Sequence, residues 1–585
     1  MSSSNNTEKA LTLHRSGCLQ EAALAYRDII RDDPKNIDAL NFLAAILVDA
    51  GQFKEAEALA RQAIAVDPNF AGPYVTLGNA LHGAGRLEEA VNSFSSALQI
   101  DKNEPIAYNN LASVLNDLGR HDEAIQSCLT GLALQADLPA LFNNLGNAME
   151  AKGEIKAAEK NYEKALDLEP EFPDALYNLG TLLSNEKRWD EAIALLEKAI
   201  IINPDHSDNH YNLANTLREA GRFSDAQRYY QNALQLSSDN ENIINNLAIT
   251  LQMQGCLEEA KVLLRSAIQR NPENPDLHWN LALVLIENGE FEEGWNEYEW
   301  RWKSSSFSSP LPKAVAPLWG GEDIRGKTLV VFCEQGFGDN IQFARYLPLV
   351  SELGAKIIVV CRPELTRLFG NIESIENSVD WDNMPQQYDY YISLLSLPRI
   401  FGTTLDTIPN RVPYLNLTEN KEITNITKKF SGKKVGLAWA GSETRYLDQF
   451  RSHRGHFFNP LLDIEGVSFF SLQVGKKGTD ILKMSKPERV EDLGVFFNDF
   501  ADTATAISSL DLVISVDTAV AHLAGALNIP VWIILSNPAG YLWMRERNDS
   551  PWYPSARLYR QVSPDNWDTI ITLICNDLYG FVNEI

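Results

Sequence analysis

The sequence predicts a helical repeat array followed by an α/β half made of two parallel-sheet domains. Three observations carry this. Glycines recur every 34 residues through the first half, strand-loop-helix-strand patterns start twice in the second half (near 327 and 435), and acidic charge is concentrated in front. At 585 residues the chain is too long for one core, and 45% apolar residues suffice for globular domains. Of the net charge of −27, most lies early: residues 1–308 hold 46 acidic and 25 basic side chains, against 32 and 26 in the remainder. Such a front half is the solvated face of helical repeats and argues against nonspecific binding to nucleic acid or anionic membranes, which needs basic patches.

The repeat comes first. Gly17, Gly51, Gly85, Gly119, Gly153, Gly221, Gly255 and Gly289 keep the period, with Lys187 in the one gap, and a small residue follows in step from Ala22 to Ala260 and Gly294. Each unit reads as two amphipathic helices joined near the glycine, closed by a proline such as Pro34, Pro68, Pro170, Pro204 or Pro272. No unit buries its face alone, so the units must stack. The pattern, for example YNNLASVLNDLGRHDEAIQSCLTGLALQ, resembles the tetratricopeptide repeat. About nine units are expected over 1–308, a Ser/Pro linker over 309–325, and α/β domains over 326–420 and 421–585.

Asn110, Asn144, Asn178, Asn212, Asn246 and Asn280 form a column in the first helices. Side-chain amides there either grip an extended peptide backbone or tie neighbouring repeats together. A similar ladder lines the repeats of O-GlcNAc transferase, which implies that this column binds a polypeptide acceptor. The aromatics Trp295, Tyr298, Trp300 and Trp302 are expected to cap the array and dock it on the next domain, in preference to stacking a sugar or base.

In the second half, KTLVVFC is a buried strand followed by the loop GFGD. A dinucleotide fingerprint is not expected, because Ile341 occupies its third glycine position. The alternation restarts with VGLAWAG and FFSLQVG. LDLVISVDTAVAHLAGALNIPVWIIL then follows, a strand, turn, helix and strand whose helix start is a ready anion site. A last helix is expected around 567–579. Asp380 and Asp382 have the spacing of a metal-binding DxD, yet they read as a loop, and no metal or cofactor is expected.

EQGFGDNIQFARYLPL, GLAWAG, RSHRG, DLVISVDTAVAHLAGALNIPVW and SPWYPSARLYRQ together resemble bacterial glycosyltransferases that join tetratricopeptide repeats to a heptosyltransferase-like (family 9) half. That resemblance implies a two-domain, Rossmann-like GT-B fold and inverting, metal-independent transfer from a nucleotide-sugar held by the C-terminal domain. The stretch 541–544, Tyr-Leu-Trp-Met, departs from the more tryptophan- and arginine-rich segment of such proteins. The resemblance makes Asp339 the base, where the residues alone favour a helix cap. Thr518, Ala519 and His522 would hold the departing diphosphate, His522 also acting in catalysis, with Arg451 and either Arg454 or Lys476 offsetting charge. Asp517 would cap the helix or bind donor hydroxyls, and Gln473 would read base or ribose.

The acceptor is expected to be Ser or Thr of a protein; bacterial enzymes of this architecture can modify surface proteins such as flagellin. A glycan or lipid-linked acceptor, or a scaffold with an inactive transferase half, are the alternatives. Six scattered cysteines without metal spacing (Cys18, Cys128, Cys256, Cys333, Cys361, Cys575) fit a reducing compartment. With no signal-peptide pattern and no apolar run reaching roughly 18 residues, a cytoplasmic protein without a membrane span is expected.

Overall fold

The computed structural model describes residues 2–310, 312, 314–441, 448–562 and 566–583. It divides into two compact units, Met1–Ala220 and Gly221–Ile585. The first unit is helical throughout its described secondary structure, in pairs of 13 and 14 residues such as Ile37–Asp49 with Phe53–Val66. Left-handed backbone ends each first helix: the periodic glycines have φ between 71° and 84°, and Lys187 adopts φ 62° in the same place. That geometry lets the chain fold back on the helix end, as where Gln52 N–H bonds to Leu47 C=O at 2.8 Å. The small-residue column, Ala22 through Ala260, is fully buried. A second small column seats large side chains: a Cβ on Gly78 would lie 2.5 Å from Phe94, and one on Gly146 2.5 Å from Tyr162.

The second unit begins with five more helices, Phe223–Leu236, Glu241–Gln254, Leu257–Arg270, Pro275–Glu287 and Phe291–Tyr298, and a 3-10 turn, Glu299–Lys303. A four-stranded parallel sheet follows: β1 (Thr328–Phe332), β2 (Lys356–Val360), β3 (Asn377–Val379) and β4 (Tyr390–Ser393), in the order β3-β2-β1-β4. The six-stranded parallel sheet contains β5 (Lys433–Ala438), β6 (Val467–Ser471), β7 (Val490–Asp492), β8 (Leu512–Val516), β9 (Val531–Leu535) and β10 (Ala556–Arg560). Its order, β10-β9-β8-β5-β6-β7, runs outward in both directions from the β5–β8 pair. Strand order therefore reverses there, with Val435 opposite Leu512 and Ala438 opposite Ser515, and such a reversal opens a crevice at the carboxyl ends of the strands. Every residue of β8 and β9 is buried, which accounts for their continuous apolar sequence. The last helix, Asp568–Asn583, packs Ile570, Ile571, Ile574 and Leu578 inward.

The compact units do not follow the sequence-derived boundary at 308, because one apolar cluster joins Phe291, Trp295 and Tyr298 to Val331, Phe343 and Trp552. Trp295 meets Phe343 edge-on with ring centres 5.9 Å apart, and Trp300 stacks on His278 at 4.0 Å. The junction aromatics thus dock the last repeat on the sheets. Buried Arg301 adds a charged peg: it bonds Glu334 at 2.7 Å, Glu299 at 2.9 Å and Ser396 at 2.9 Å. The stretch 309–325 is less of a linker than its composition suggests. Leu318 bridges to Tyr391 beside β4, and Trp319 is fully buried; residues 311 and 313 lie outside the described residues. Among the described residues no helix is long and apolar enough to cross a membrane.

Candidate functional site

The site forms where the mouth of β1 meets the β5–β8 crevice. The loop after β1 is folded by Asn340, whose side chain accepts from Glu334 N–H at 3.1 Å and donates to Gly336 C=O at 2.9 Å. Gln335 is held in left-handed backbone, φ 59°, which a side chain rarely adopts and which its partners enforce. Its side-chain amide donates to Tyr298 Oη at 2.6 Å, and its N–H to Ser309 Oγ at 2.8 Å. Asp339 stands in the first turn of helix Phe337–Phe343, half-buried, with Oδ2 accepting from Gly336 N–H at 3.1 Å. That bond is the capping interaction the residues alone allow. It leaves Oδ1 without a hydrogen bond among the described residues.

Helix Ala519–Ala526 starts directly after β8 with Thr518 as its N-cap, in extended backbone. Ala521 and His522 N–H bond to Thr518 C=O, so the N–H groups before them point out of the helix start, as at any helix N-terminus. Thr518 Oγ1 lies 3.1 Å from Ser515 Oγ instead of capping. The two parts of the site meet closely: a Cβ on Gly338 would lie 2.7 Å from His522 Cδ2 and 3.5 Å from Ala519 Cα. Glycine is required at 338 for that approach.

His522 is buried among polar and aromatic partners. Its Nδ1 lies 3.1 Å from Tyr553 Oη, its Nε2 3.7 Å from Asp517 Oδ1, and its ring stacks on Trp543 with centres 5.1 Å apart. Behind Tyr553 sits Arg345, fully enclosed, its guanidinium 4.7 Å from the Tyr553 ring centre and donating to the Gln342, Pro409 and Trp552 carbonyls. Burial pushes the Tyr553 hydroxyl far above the usual tyrosine range, neighbouring Tyr414 adds to that, and Arg345 opposes it. The phenol therefore stays protonated.

Arg451 closes the crevice from the β5 side. Its Nε donates to Asp448 at 2.9 Å and Nη1 to Asp517 C=O at 2.5 Å, and a Cβ on Gly441 would come within 2.4 Å of Nη2. The last glycine of GLAWAG thus seats this guanidinium. Asp517 is buried between Arg451 and His522. Of the accessory cations, Lys476 and Arg454 are exposed, while Lys477, which sequence patterning did not single out, reaches Asp448 at 3.3 Å. Asp448, Ser452, His453, Arg454, Lys477 and Asp480 line a cavity of about 830 Å³ beside Arg451.

Gln473 lies at the end of β6 but is largely a brace. Its Oε1 accepts from Trp439 N–H at 3.1 Å and Ala440 N–H at 2.9 Å, and its Nε2 donates to Ala440 C=O at 3.1 Å, which leaves one amide hydrogen for any base or ribose. Asp380 caps the turn Trp381–Asn383 through Asn383 N–H at 2.9 Å.

The asparagine column joins repeats. In the first unit Asn110 donates to Asn79 at 2.9 Å, Asn144 to Asn109 at 2.9 Å, Asn178 to Asn143 and Asn147 at 2.9 and 3.0 Å, and Asn212 to Tyr177 Oη. In the second unit Asn280 donates to Asn245 at 2.6 Å; Asn246 is half-buried. Of the two roles open to such amides, the tie between neighbours is the one these bonds make.

Sequence reasoning missed Tyr553, Trp543 and Arg345. Tyr553 and Arg345 lie inside motif blocks, but nothing in their spacing says that they converge on His522. Trp543 belongs to the departing segment 541–544, whose neighbour Arg545 bonds Glu287 at 2.6 Å and the Gln252 carbonyl.

Helix pairs on a 34-residue period, each turned by a left-handed residue, define a tetratricopeptide-repeat array, here followed by two parallel-sheet domains. The family profile described as "Cilia and flagella-associated protein 70 C-terminal domain" matches residues 1–215, and "Tetratricopeptide repeat" matches 217–265 and 251–294. Among curated relatives, Protein FlbA of Caulobacter vibrioides is 27% identical over 50% of this chain and 53% of its own length, so the match spans about half of that relative. Similar solved structures include the APC/C hetero-tetramer Cut9-Hcn1, 20% identical with a TM-score of 0.40 over 46% of this chain and 52% of that one. The human IFIT1 dimer with PPP-AAAA is 17% identical with a TM-score of 0.37, over 50% and 71%.

Proposed function

We propose that the second unit is a Rossmann-like, GT-B-type glycosyltransferase that takes a nucleotide-sugar and transfers the sugar, with inversion and without a metal, to a Ser or Thr of a protein. The observation that carries this reading is the contact of the Asp339 loop with the His522 helix across Gly338. It sets a carboxylate oxygen free to take a proton beside a helix N-terminus able to hold a departing diphosphate. In this reading Asp339 Oδ1 receives the acceptor hydroxyl's proton, and Thr518, the N–H groups at 519 and 520 and Arg451 carry the charge that develops on the leaving group. Asp517 orients Arg451 through its carbonyl and faces His522 with its carboxylate. A surface protein such as flagellin remains the model acceptor.

Calorimetry of the full chain with UDP, GDP, ADP and CMP, followed by intact-mass readout of transfer to candidate acceptors, tests this. Asp339→Asn is expected to lower turnover at least ~10-fold, about 1.4 kcal/mol, with nucleotide affinity unchanged, and His522→Ala to weaken both. A chain that binds none of the four nucleotides and adds no sugar would refute the proposal.

One observation favours a second reading of the repeats. Because the column amides donate to neighbouring repeats, the array serves as a docking platform for partner proteins, with acceptor choice made elsewhere. Transfer by Asn144→Ala at the wild-type rate is the outcome this version expects.

A further inference from the structure

The stretch 541–544, where the sequence departs from the transferases it resembles, is also where the last two repeats reach the neighbourhood of His522. Trp543 is buried, and its ring stacks on the His522 ring with centres 5.1 Å apart. Next to it Met544 takes left-handed backbone, φ 54°, a conformation that a methionine disfavours and that its surroundings must impose. Repeat residues stand around this turn. A Cβ on Gly289 would lie 3.4 Å from the Met544 Cε, and one on Gly255 3.0 Å from Arg545 Nη1. Arg545 Nε donates to Glu287 Oε1 at 2.6 Å, and Nη2 donates to the Gln252 and Met253 carbonyls. On the other side of Trp543, Tyr541 Oη lies 3.4 Å from Tyr298 Oη, which also receives the Gln335 amide. Trp543 is thus flanked by two contacts with the array.

Glu287 carries the stronger of the two. It is buried at the end of helix Pro275–Glu287, and its Oε2 accepts from Gln252 Nε2 at 2.8 Å, so the preceding repeat aims its other oxygen at Arg545. Among the described residues it is the one carboxylate that pairs with Arg545. Its charge also acts on a second guanidinium. Arg560 Nη2 donates to Trp543 C=O at 2.6 Å; burial and the Arg545 charge bring Arg560 down to about 10, and Glu287 pushes it back up. The sheet domain's own hold on the Trp543 backbone therefore leans on a carboxylate of the last repeat. Without that anion two neighbouring guanidiniums lose their counter-charge.

We infer that Glu287 is a positioning residue of the crevice: through Arg545 it holds segment 541–545 so that Trp543 stays on the His522 ring. The last two repeats then form part of the crevice wall, in addition to any docking role of the array. The anchoring follows from these contacts; that the wall faces a nucleotide-sugar rests on the transferase reading.

The test is ¹H–¹³C correlation on the full chain labelled in its nine histidine rings, with His522 assigned by loss of its signals in His522→Gln. A stacked indole shields the ring protons of His522, and Trp543→Leu marks where they fall without it. In Glu287→Gln and Arg545→Met the His522 signals are expected to move toward the Trp543→Leu position while those of His453 and His456 stay. Arg545→Lys, which keeps a charge for Glu287, is expected to fall between Arg545→Met and wild type. His522 signals at the wild-type position in both Glu287→Gln and Arg545→Met overturn the inference. Should those variants fold poorly, Glu287→Asp keeps the charge on a shorter arm: a smaller shift in the same direction supports the inference, and no shift overturns it. Parallel titration with UDP, GDP, ADP and CMP separates the two proposals. Shifted His522 signals in a chain that binds no nucleotide support this inference and count against the transferase alone, whereas nucleotide binding with His522 unmoved in every anchor variant overturns this inference alone. Where both hold, Arg545→Met is expected to bind nucleotide at least ~10-fold more weakly than wild type.

Discussion

The repeats of the first unit and the last repeat of the second share one period yet keep their charges in opposite environments. In the first unit arginines near the helix turns pair in solvent: Arg86 with Glu57 and Glu89, Arg120 with Glu88 and Glu123, Arg188 with Glu159 and Glu191. In the last repeat Arg301 is buried on Glu334. The column explains the change. Position 301 continues Ala63, Ala97, Gly131, Ala165, Ala199, Ala233 and Ala267, small residues that let the following helix pack closely. An arginine there replaces a helix contact with a peg into the sheet domain. Exposed pairs contribute little, whereas removing one member of a buried pair strands a charge.

The largest expected effect follows from that contrast. Arg301→Ala should destabilise the second unit by about 3–5 kcal/mol, because Glu334, whose carboxyl burial pushes up and Arg301 pulls back, loses its counter-charge. Arg188→Ala should leave the denaturation midpoint of the first unit unchanged. Urea unfolding followed for each unit by a local fluorophore distinguishes them, and equal shifts would erase the contrast.

Acid provides the next test. Burial holds His453 down to about 4, with His456 adding to the effect, so the ring is neutral in the folded chain. Its ordinary value is about 6.5. The unfolded chain therefore binds a proton first as pH falls, and stability fully present above 6.5 is lost progressively until about pH 4. The shift corresponds to roughly 3 kcal/mol. Stability measured between pH 7 and 4 should slope downward for the wild type and flatten in His453→Phe, a ring that can keep its stack on Phe457. An unaltered slope would assign the acid sensitivity elsewhere.

Smaller, and aimed at the array itself, is Asn178→Ala. Loss of its amide leaves the Asn143 and Asn147 oxygens without that donor and should cost about 1–2 kcal/mol in the first unit. Wild-type stability with a ~10-fold loss of transfer would restore the peptide-gripping role and weaken the reading of the column as a brace.

What the sequence made legible follows the same division. Periodicity announces the helix pairs because every unit repeats one solution to one packing problem, and the apolar runs of β1, β5, β8 and β9 announce buried parallel strands. Asp339, Thr518 and His522 were visible since strand ends and helix starts are encoded locally. Tyr553 and Arg345 were not: Tyr553 meets His522 across 31 positions and Arg345 meets the Trp552 carbonyl across 207, and no local pattern encodes such meetings. Gln473 shows the converse, a side chain bound mostly to backbone with one amide hydrogen to spare. A polar residue at a strand end looks like a ligand reader until its backbone partners are known. The asparagine column was found from its period, and the resemblance made it an acceptor-binding ladder; the bonds between repeats were not foreseen, because an amide's partner cannot be read from its period.

Lys187 gives the finest test of how far the period rules the array. It fills the one gap in the glycine column and still takes φ 62°, so the stack imposes the left-handed turn on a residue that disfavours it by about 1–2 kcal/mol. Lys187→Gly removes that strain but adds freedom to the unfolded chain, worth roughly 0.5–1 kcal/mol in the other direction. The net expectation is a gain of about 0.5–1 kcal/mol, read as a higher urea midpoint of the first unit with an unchanged slope. Gly153→Lys, the reverse exchange one repeat earlier, should lower the midpoint by a similar amount, since a Cβ there meets nothing within 4 Å and backbone strain is the whole effect. Opposite signs of equal size would establish that the turn belongs to the repeat and not to the residue occupying it, and a loss from both exchanges would show that Lys187 makes a contact of its own.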